Sequence, residues 1–152
     1  MPKFQKYFRK AQHTGNPLLK LFYKSLFVKY RNRNFVEMSV NSEIGEGLYI
    51  GHPFGITINP LAKIGRNVNI HKGVTIGQEN RGEREGTPII GDEVWIGINA
   101  TIVGKVKIGT DVLIAPNTFV NCDIPDHCIV FGNPCIIKKK FNATEGYINR
   151  KV

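Results

Sequence analysis

The stretch PIIGDEVWIGINATIVGKVKIGTDVLIAPNTFV, residues 88–120, decides the fold. An aliphatic residue recurs in it at every sixth position: Ile90, Ile96, Ile102, Ile108, Ile114 and Val120. An α-helix would repeat its apolar residues every 3.6 positions, and a half-buried strand would alternate every second position. A fixed spacing of six is the repeat of a parallel β-helix, in which each hexapeptide supplies one short strand and one turn. The sequence therefore predicts an all-β coil.

The same spacing runs through the preceding part of the chain, at Ile58, Ile64, Ile70 and Ile76. A second small or aliphatic residue stands two positions before most of these: Ala62, Val68, Val74, Val94, Ala100, Val106 and Val112. Three hexapeptides make one triangular turn of about 18 residues, with the aliphatic side chains stacked inside. Each side chain contributes roughly 1.5–3 kcal/mol when fully buried. The period does not give the hand of the coil, and the general rule for parallel crossovers favours a right-handed one.

The first interruption of the rhythm lies in GLYIGHPFGITI, residues 47–58. Ile50 and Ile58 are eight positions apart, so two residues are extra. A bulge redirects a side chain away from a regular stack, and the residue placed here is His52. Because imidazole gains and loses a proton near neutral pH, His52 is the best candidate for a working side chain. We expect His71 to point outward from a regular hexapeptide, and His13 and His127 to be exposed polar residues.

The second interruption separates Ile76 from Ile90, which are fourteen positions apart, so eight residues are extra. The inserted segment, residues 78–88, is charged and contains Gly and Pro, which predicts a loop projecting from the coil. Insertions in repeat proteins often lie on the binding face. We therefore expect the two interruptions to mark the functional site.

Residues 1–34 differ from the rest of the chain in charge. They hold nine Lys or Arg and no Asp or Glu, whereas residues 35–152 hold twelve of each sign. Apolar spacing at Leu19, Phe22, Leu26 and Tyr30 and the break HTGNP at 13–17 predict two short helices. Such a basic arm suits peripheral contact with an anionic membrane; a solvated helical face is the alternative. We expect no nucleic-acid partner.

Composition excludes several classes of function. The three cysteines form no CxxC pair, which argues against a disulfide framework and a structural zinc site. No nucleophile elbow, phosphate-binding loop or dinucleotide fingerprint occurs. We find no signal peptide in the sequence and expect a cytoplasmic protein that needs no metal, with the inner face of the membrane as its alternative location.

Residues 37–138 resemble the hexapeptide-repeat acyltransferases, closest to the catalytic domain of serine O-acetyltransferases and to capsule and exopolysaccharide O-acetyltransferases. The stretches IGEGLYIGHPFGITINPLAKIGRNVNIHKGVTIG and IPDHCIVFGNPCIIKK carry the likeness together with residues 88–120. The resemblance implies a left-handed parallel β-helix, a homotrimer with active sites between subunits, and acetyl-CoA as donor. It implies that His52 is the catalytic general base and that Glu37 is a carboxylate near this histidine and the acceptor.

The resemblance also implies five cofactor-binding residues. Gly97, Ile98 and Ala115 match positions along the pantetheine arm, Cys122 falls near the nucleotide end, and Lys139 matches a basic residue that can meet a CoA phosphate. For the domains, the sequence predicts a basic helical arm at 1–36, the acyltransferase domain at 37–137 with its loop at 78–88, and a tail at 138–152.

Two positions depart from serine acetyltransferases. A second histidine of that family is replaced by Thr87, and the aspartate before the catalytic histidine is replaced by Gly51. Both contact the amino-acid acceptor in that family. We therefore expect an O-acetyltransferase acting on a sugar hydroxyl, in capsule or surface polysaccharide synthesis. The alternatives are a serine O-acetyltransferase of cysteine biosynthesis and a non-catalytic β-helix that serves as a binding scaffold.

Overall fold

Short strands wound into a coil form the body of the protein, and two helices precede them. The computed structural model describes residues 2–149 and 151–152. The helices are α1 (Lys3–His13) and α2 (Pro17–Asn32). The strands are β1 (Val36–Glu37), β2 (Glu43–Ile44), β3 (Tyr49–Gly51), β4 (Ile56–Ile58), β5 (Lys63–Ile64), β6 (Asn69–His71), β7 (Thr75–Gly77), β8 (Ile89–Ile90), β9 (Trp95–Ile96), β10 (Thr101–Val103), β11 (Lys107–Ile108), β12 (Val112–Ile114), β13 (Phe119–Val120), β14 (Cys128–Phe131) and β15 (Ile136–Lys139).

The strands form the three faces of a prism. The first face has the order β1-β4-β7-β10-β13, the second β2-β5-β8-β11, and the third β3-β6-β9-β12-β14-β15. Pairs within each face are parallel, except that β15 lies antiparallel to β14. From β1 to β14, consecutive strands therefore lie on different faces, and each strand pairs with a strand one full turn of the coil away; β15 instead folds back on β14.

The six-residue spacing sets the register of this prism. On the third face Ile50 is paired with Ile70, Ile70 with Ile96, and Ile96 with Ile114. The predicted inward-facing residues are buried, as are the smaller residues that precede them. One continuous core thus runs along the coil axis, and the predicted coil of hexapeptide repeats is confirmed.

Helix α1 closes the first end of the coil. Its Phe4 and Phe8 are buried in the core, and its polar side chains bond backbone carbonyls of the first turn. Gln5 Nε2 donates to the Leu48 carbonyl at 2.5 Å, and Arg9 donates to the carbonyls of Ile44, at 2.7 Å, and Gly45. A helix that satisfies exposed carbonyls in this way blunts the open end of a parallel stack.

Helix α2 packs mainly on α1 and also contacts β1 of the coil. Tyr7 of α1 stacks on Tyr23 and Tyr30 of α2, and Phe8 packs against Phe27. The predicted division into two helices is observed, but the predicted apolar face is only partly the buried one. Phe27 is buried, whereas Phe22 is 56% exposed, because a helix with a partner on one side can bury only one stripe. Among the described residues, no helix is long and apolar enough to cross a membrane.

The C-terminal segment lies against the coil and is held by Asp111. This buried carboxylate accepts hydrogen bonds from the backbone N–H of Ala143 and of Thr144, from Thr144 Oγ1 and from His127 Nδ1, at 2.8–3.0 Å. Farther along, Tyr147 packs on Trp95 of the third face, with ring centroids 5.3 Å apart. His127, expected to be a plain exposed residue, therefore serves this attachment.

Substituting Asp111 with alanine should destabilise the fold in a pH-dependent way. Burial raises the pKa of the Asp111 carboxyl, but its hydrogen bonds to His127, Thr144 and Ala143 outweigh burial, so the pKa lies below its usual value. The ionised carboxylate therefore stabilises the fold above an unfolded-state pKa of about 3.9, and this stabilisation is lost as the pH falls through the folded-state pKa. We expect a loss of about 1–3 kcal/mol at pH 7.

Thermal unfolding of the natural protein and of Asp111→Ala across pH 2–8 would test this expected loss of stability. The gap in Tm between the natural protein and Asp111→Ala should be widest above about pH 5 and should narrow below about pH 4. Glu145→Ala, at an exposed position beside the same segment, is the matched control and should show no gap. A gap that does not change with pH would contradict the role given to the Asp111 carboxylate.

Candidate active site

One edge of the prism, where the chain passes from the third face to the first, contains His52. Successive turns stack along it, and we call this series, residues 52–55, 71–74, 97–100 and 115–118, the His52 edge. Backbone hydrogen bonds of 2.9–3.0 Å join the turns, from Gly73 N–H to Phe54, from Asn99 N–H to Lys72, and from Asn117 N–H to Ile98. The two extra residues of the first interruption therefore lie in the first turn of this edge.

His52 has an unusual backbone conformation for its residue type. The later turns of the His52 edge each have one residue at positive φ, namely Gly73, Asn99 and Asn117, whereas the first turn has two, His52 at φ 53° and Gly55 at φ 63°. A residue other than glycine in this region costs on the order of 1–3 kcal/mol, and such residues cluster at functional sites. The His52 side chain is exposed and has no hydrogen-bond partner among the described residues. The imidazole is therefore free to form a hydrogen bond with a bound molecule.

His71 lies directly beside the backbone of Gly51. A Cβ added at Gly51 would lie 3.1 Å from two atoms of the His71 ring and 3.1 Å from Tyr49 Cε1. The other side of the imidazole packs on Trp95, with ring centroids 4.8 Å apart, and its Nε2 is buried with no partner in the described part of the chain. Burial lowers the pKa of His71, and the nearby His52 lowers it further. His71 is therefore a neutral ring that fills the space next to the His52 turn.

The size of the His71 ring explains why glycine stands at position 51. We expect Gly51→Ala to destabilise the fold by about 1–3 kcal/mol, because the added methyl group overpacks this contact. Combining Gly51→Ala with His71→Ala should recover most of that loss relative to His71→Ala alone. Urea unfolding of the four proteins forms a double-mutant cycle, and strictly additive losses would show that the two positions do not interact.

Glu37 lies at the other side of the same turn. It ends β1, is paired with Thr57 of β4, and accepts a long hydrogen bond of 3.5 Å from Thr57 Oγ1. Glu37, Phe35, Gly55 and Thr57 line a cavity of about 370 Å³. The structure thus brings Glu37 to the His52 turn, but no hydrogen bond joins Glu37 to His52 within the described residues.

A larger groove opens between helix α2 and the first face. Its volume is about 740 Å³, with Glu37 and Thr57 on the coil side and Lys24 and Arg31 on the helix side. Arg31 Nη1 donates to the Met38 carbonyl, while its Nε is buried with no partner in the described structure. The groove therefore sets one carboxylate opposite two cations. Sequence reasoning missed Lys24 and Arg31, since only packing of α2 on the coil turns them toward Glu37.

Three of the predicted donor-binding residues share the His52 edge. Gly97 and Ile98 lie in its third turn, and Ala115 in its fourth. With parallel strands about 4.8 Å apart, they are roughly 10 and 14 Å along the prism from the His52 turn. A Cβ on Gly97 would lie 2.6 Å from the Pro116 nitrogen, so close contact between turns already requires glycine there.

The two remaining predicted donor-binding residues lie elsewhere. Cys122 follows β13, on another edge, and its Sγ is 3.6 Å from Cys135 Sγ. Burial, with the hydrogen bond to Cys122, raises the pKa of Cys135 to about 11. Lys139 is an exposed residue of β15, with its ammonium over the Phe141 ring. Cys122 and Lys139 thus lie on other elements of the coil than Gly97, Ile98 and Ala115.

The loop at 78–88 is folded against the coil instead of projecting from it. Glu79 and Gly86 exchange two backbone hydrogen bonds, which makes the loop a small hairpin. Arg84 forms a salt bridge of 3.1 Å to Asp123 on the coil. Thr87, the last loop residue before Pro88, donates from Oγ1 to the Leu61 carbonyl at 3.2 Å. Arg84 and Thr87 thus connect the insertion to the coil.

Within residues 2–149 and 151–152, no group of three or more His, Cys, Asp or Glu is arranged to hold a metal ion.

Comparisons with known proteins show which class of proteins this chain resembles. Residues 87–122 match the model of the bacterial transferase hexapeptide repeats, described as six repeats. The resemblance to hexapeptide-repeat acyltransferases is confirmed, and with it the left-handed parallel β-helix, against the right-handed coil that the general crossover rule favours.

The particular relatives are serine acetyltransferases. The chain is 35% identical to the serine acetyltransferase of Staphylococcus aureus over 111 residues, which are 73% of this chain and 52% of that protein. A serine acetyltransferase of Neisseria gonorrhoeae solved with serine matches 90% of this chain and 54% of its own at 29% identity, with a TM-score of 0.67. One from Brucella abortus solved with coenzyme A matches 90% and 55% at 25% identity, with a TM-score of 0.75.

These relatives correct one expectation. The predicted acceptor, a sugar of capsule or surface polysaccharide synthesis, is contradicted, and the alternative of a serine acetyltransferase is favoured. That prediction gave too much weight to Thr87 and Gly51, two positions among more than a hundred that align. The chain spans 28–52% of the length of the curated relatives it matches.

Proposed function

We propose that this chain is an acetyl-CoA-dependent O-acetyltransferase whose acceptor is the hydroxyl of L-serine. The observation that carries the proposal is the exposed His52, held at positive φ in the bulged turn of a coil similar to serine acetyltransferases. An unpaired imidazole on a rigid turn can reach an acceptor hydroxyl without first breaking an internal hydrogen bond.

In the proposed reaction His52 acts as general base. It takes the proton from the serine hydroxyl as that oxygen attacks the thioester carbonyl of acetyl-CoA, and this assistance accelerates such reactions about 10²–10⁴-fold. The C–S bond then breaks, and the imidazolium returns its proton to the departing CoA thiolate. The products are O-acetylserine and free CoA, and His52 ends neutral.

The groove between α2 and the first face supplies charges that suit an amino-acid acceptor. Serine carries an ammonium and a carboxylate, and the groove has the Glu37 carboxylate facing Lys24 and Arg31. The unpartnered Arg31 Nε is a donor that a carboxylate can satisfy, since guanidinium–carboxylate hydrogen bonds are among the stronger ones. In this proposal Glu37 binds the ammonium group of serine. Another residue is needed for this contact, because Thr87 and Gly51 replace the two family residues that contact the acceptor.

For the donor, Gly97, Ile98 and Ala115 would lie along the pantetheine arm on the same edge of the prism as His52. Relatives solved with coenzyme A support the choice of donor. Cys122 and Lys139 lie on other elements of the coil, and in this proposal they meet the nucleotide end.

A homotrimer with active sites between subunits is also part of the proposal. Two large aliphatic side chains support it, because Leu61 is 70% exposed and Ile89 is 50% exposed on the coil. Apolar residues left on a flat face are candidates for contact with another copy. Light scattering of the purified protein would give the mass of the assembly, and a monomer at working concentrations would overturn this part.

The acceptor is tested by measuring release of free CoA from acetyl-CoA in the presence of L-serine. We expect turnover with L-serine and at least about tenfold less with L-alanine, which lacks the hydroxyl, or with ethanolamine, which lacks the carboxylate. Arg31→Gln and Glu37→Gln should raise KM for serine more than KM for acetyl-CoA, while Lys63→Gln, at an exposed coil position, is the control. No turnover with serine in the presence of bound acetyl-CoA would overturn the acceptor.

A further inference from the structure

Helix α2 presents a second apolar stripe on the side that faces away from α1. Leu18 is 78% exposed, Leu21 64% and Phe22 56%. Residues three and four apart lie on one face of a helix, so these three form one contiguous patch on the first turns of α2. We call Leu18, Leu21 and Phe22 the outer stripe. Neither the coil nor α1 covers it, and it lies outside the lining of the Glu37 groove.

The charge around the outer stripe has one sign. Residues 1–34 carry nine cations and no carboxylate, and none of these cations forms a salt bridge in the described part of the chain. Two of them are used internally, Arg9 on the first turn of the coil and Arg31 on Met38. Lys20 and Lys29 are exposed near the two ends of α2.

The exposed apolar side chains and the positive charge around them together indicate which kind of partner can bind the outer stripe. A second copy of α2 would set Lys20 and Lys29 against the same uncompensated cations, and like charges facing each other across an interface are unfavourable. A surface of anionic phospholipid offers both an apolar interior and neutralising charge. Amphipathic helices with aliphatic and aromatic residues on one side and basic residues beside them bind in the plane of such surfaces.

We propose that helix α2 docks the protein on anionic phospholipid surfaces through Leu18, Leu21 and Phe22, assisted by Lys20 and Lys29. The apolar side chains enter the boundary between headgroups and acyl chains, and the ammonium groups meet the lipid phosphates. The helix lies along the surface and does not cross it. This inference is independent of the acceptor proposed above, because no residue of the outer stripe lines the groove.

Flotation of the full chain with vesicles tests the proposal. We expect binding to vesicles of phosphatidylcholine with phosphatidylglycerol, much weaker binding to phosphatidylcholine alone, and loss of binding at about 0.5 M salt, where exposed charges are screened. Leu18→Ser, Leu21→Ser and Phe22→Ser together should weaken partitioning at least about tenfold. Lys20→Gln with Lys29→Gln should weaken it about fivefold for each charge removed.

Ile136→Ser is the matched control, because Ile136 is 53% exposed, close to the 56% of Phe22, but lies in β15 of the coil, far along the chain from α2. It should leave partitioning unchanged, and unfolding curves should show that the variants remain folded. Equal binding to both kinds of vesicle, or undiminished binding of the triple variant, would overturn the proposal. A triple variant that falls to a smaller assembly in light scattering would assign the stripe to a second copy and would overturn it as well.

Discussion

His52→Asn is expected to lower kcat for acetyl transfer by about 10²–10⁴-fold, the share that a general base supplies. Asparagine tolerates the left-handed backbone region better than most residues, so the substitution removes the base while keeping the φ of 53° at this turn. The loss should therefore come without unfolding. Release of free CoA measures the rate, and protection against thermal unfolding by acetyl-CoA reports whether the donor still binds.

Two controls distinguish a loss of catalysis from a loss of structure. Donor protection should persist in His52→Asn, because Gly97, Ile98 and Ala115 lie on other turns of the edge. His13→Ala, at an exposed histidine outside the coil, should retain the natural rate. A His52→Asn protein that acetylates serine at the natural rate would contradict the assignment of His52 as general base.

Ile96→Ala is expected to lower the free energy of unfolding by about 2–5 kcal/mol. Ile96 is fully buried and is paired with both Ile70 and Ile114 on the third face. Truncation therefore leaves a cavity between two turns, and rigid parallel strands collapse poorly into such a space. Urea or thermal unfolding provides the measurement.

The same change at an exposed isoleucine calibrates the effect. Ile137 of β15 is 39% exposed, and Ile137→Ala should cost less than about 1 kcal/mol. Equal losses at positions 96 and 137 would mean that the stacked aliphatic column is not the main source of stability.

The periodic part of the fold was predictable because a single rule generates it. When Ile90, Ile96 and Ile102 repeat every six residues, each must occupy an equivalent place on successive faces, and the structure has them there. The position of His52 in a bulged turn follows from the same counting, since two extra residues have to leave the stack. The left hand of the coil came only from family resemblance.

Contacts between distant parts of the chain were not predictable in this way. The attachment of the C-terminal segment to Asp111 and the placement of Lys24 and Arg31 opposite Glu37 both join residues whose separation follows no period. The predicted sugar acceptor was wrong for a related reason. It was inferred from two residues, Thr87 and Gly51, whereas the similarity to serine acetyltransferases extends over 111 residues.

The capping of the first turn by α1 has a consequence for how the protein can associate. A stack of parallel strands is, by its geometry, a template that another stack can extend end to end into a fibre. Gln5 and Arg9 bond the carbonyls at one end, and at the other end the largest sheet finishes in the reversed strand β15, which contains the exposed residues Lys138 and Lys139. End-to-end stacking of coils is therefore unfavourable at both ends. Copies of the chain are left to associate through the faces and edges of the prism.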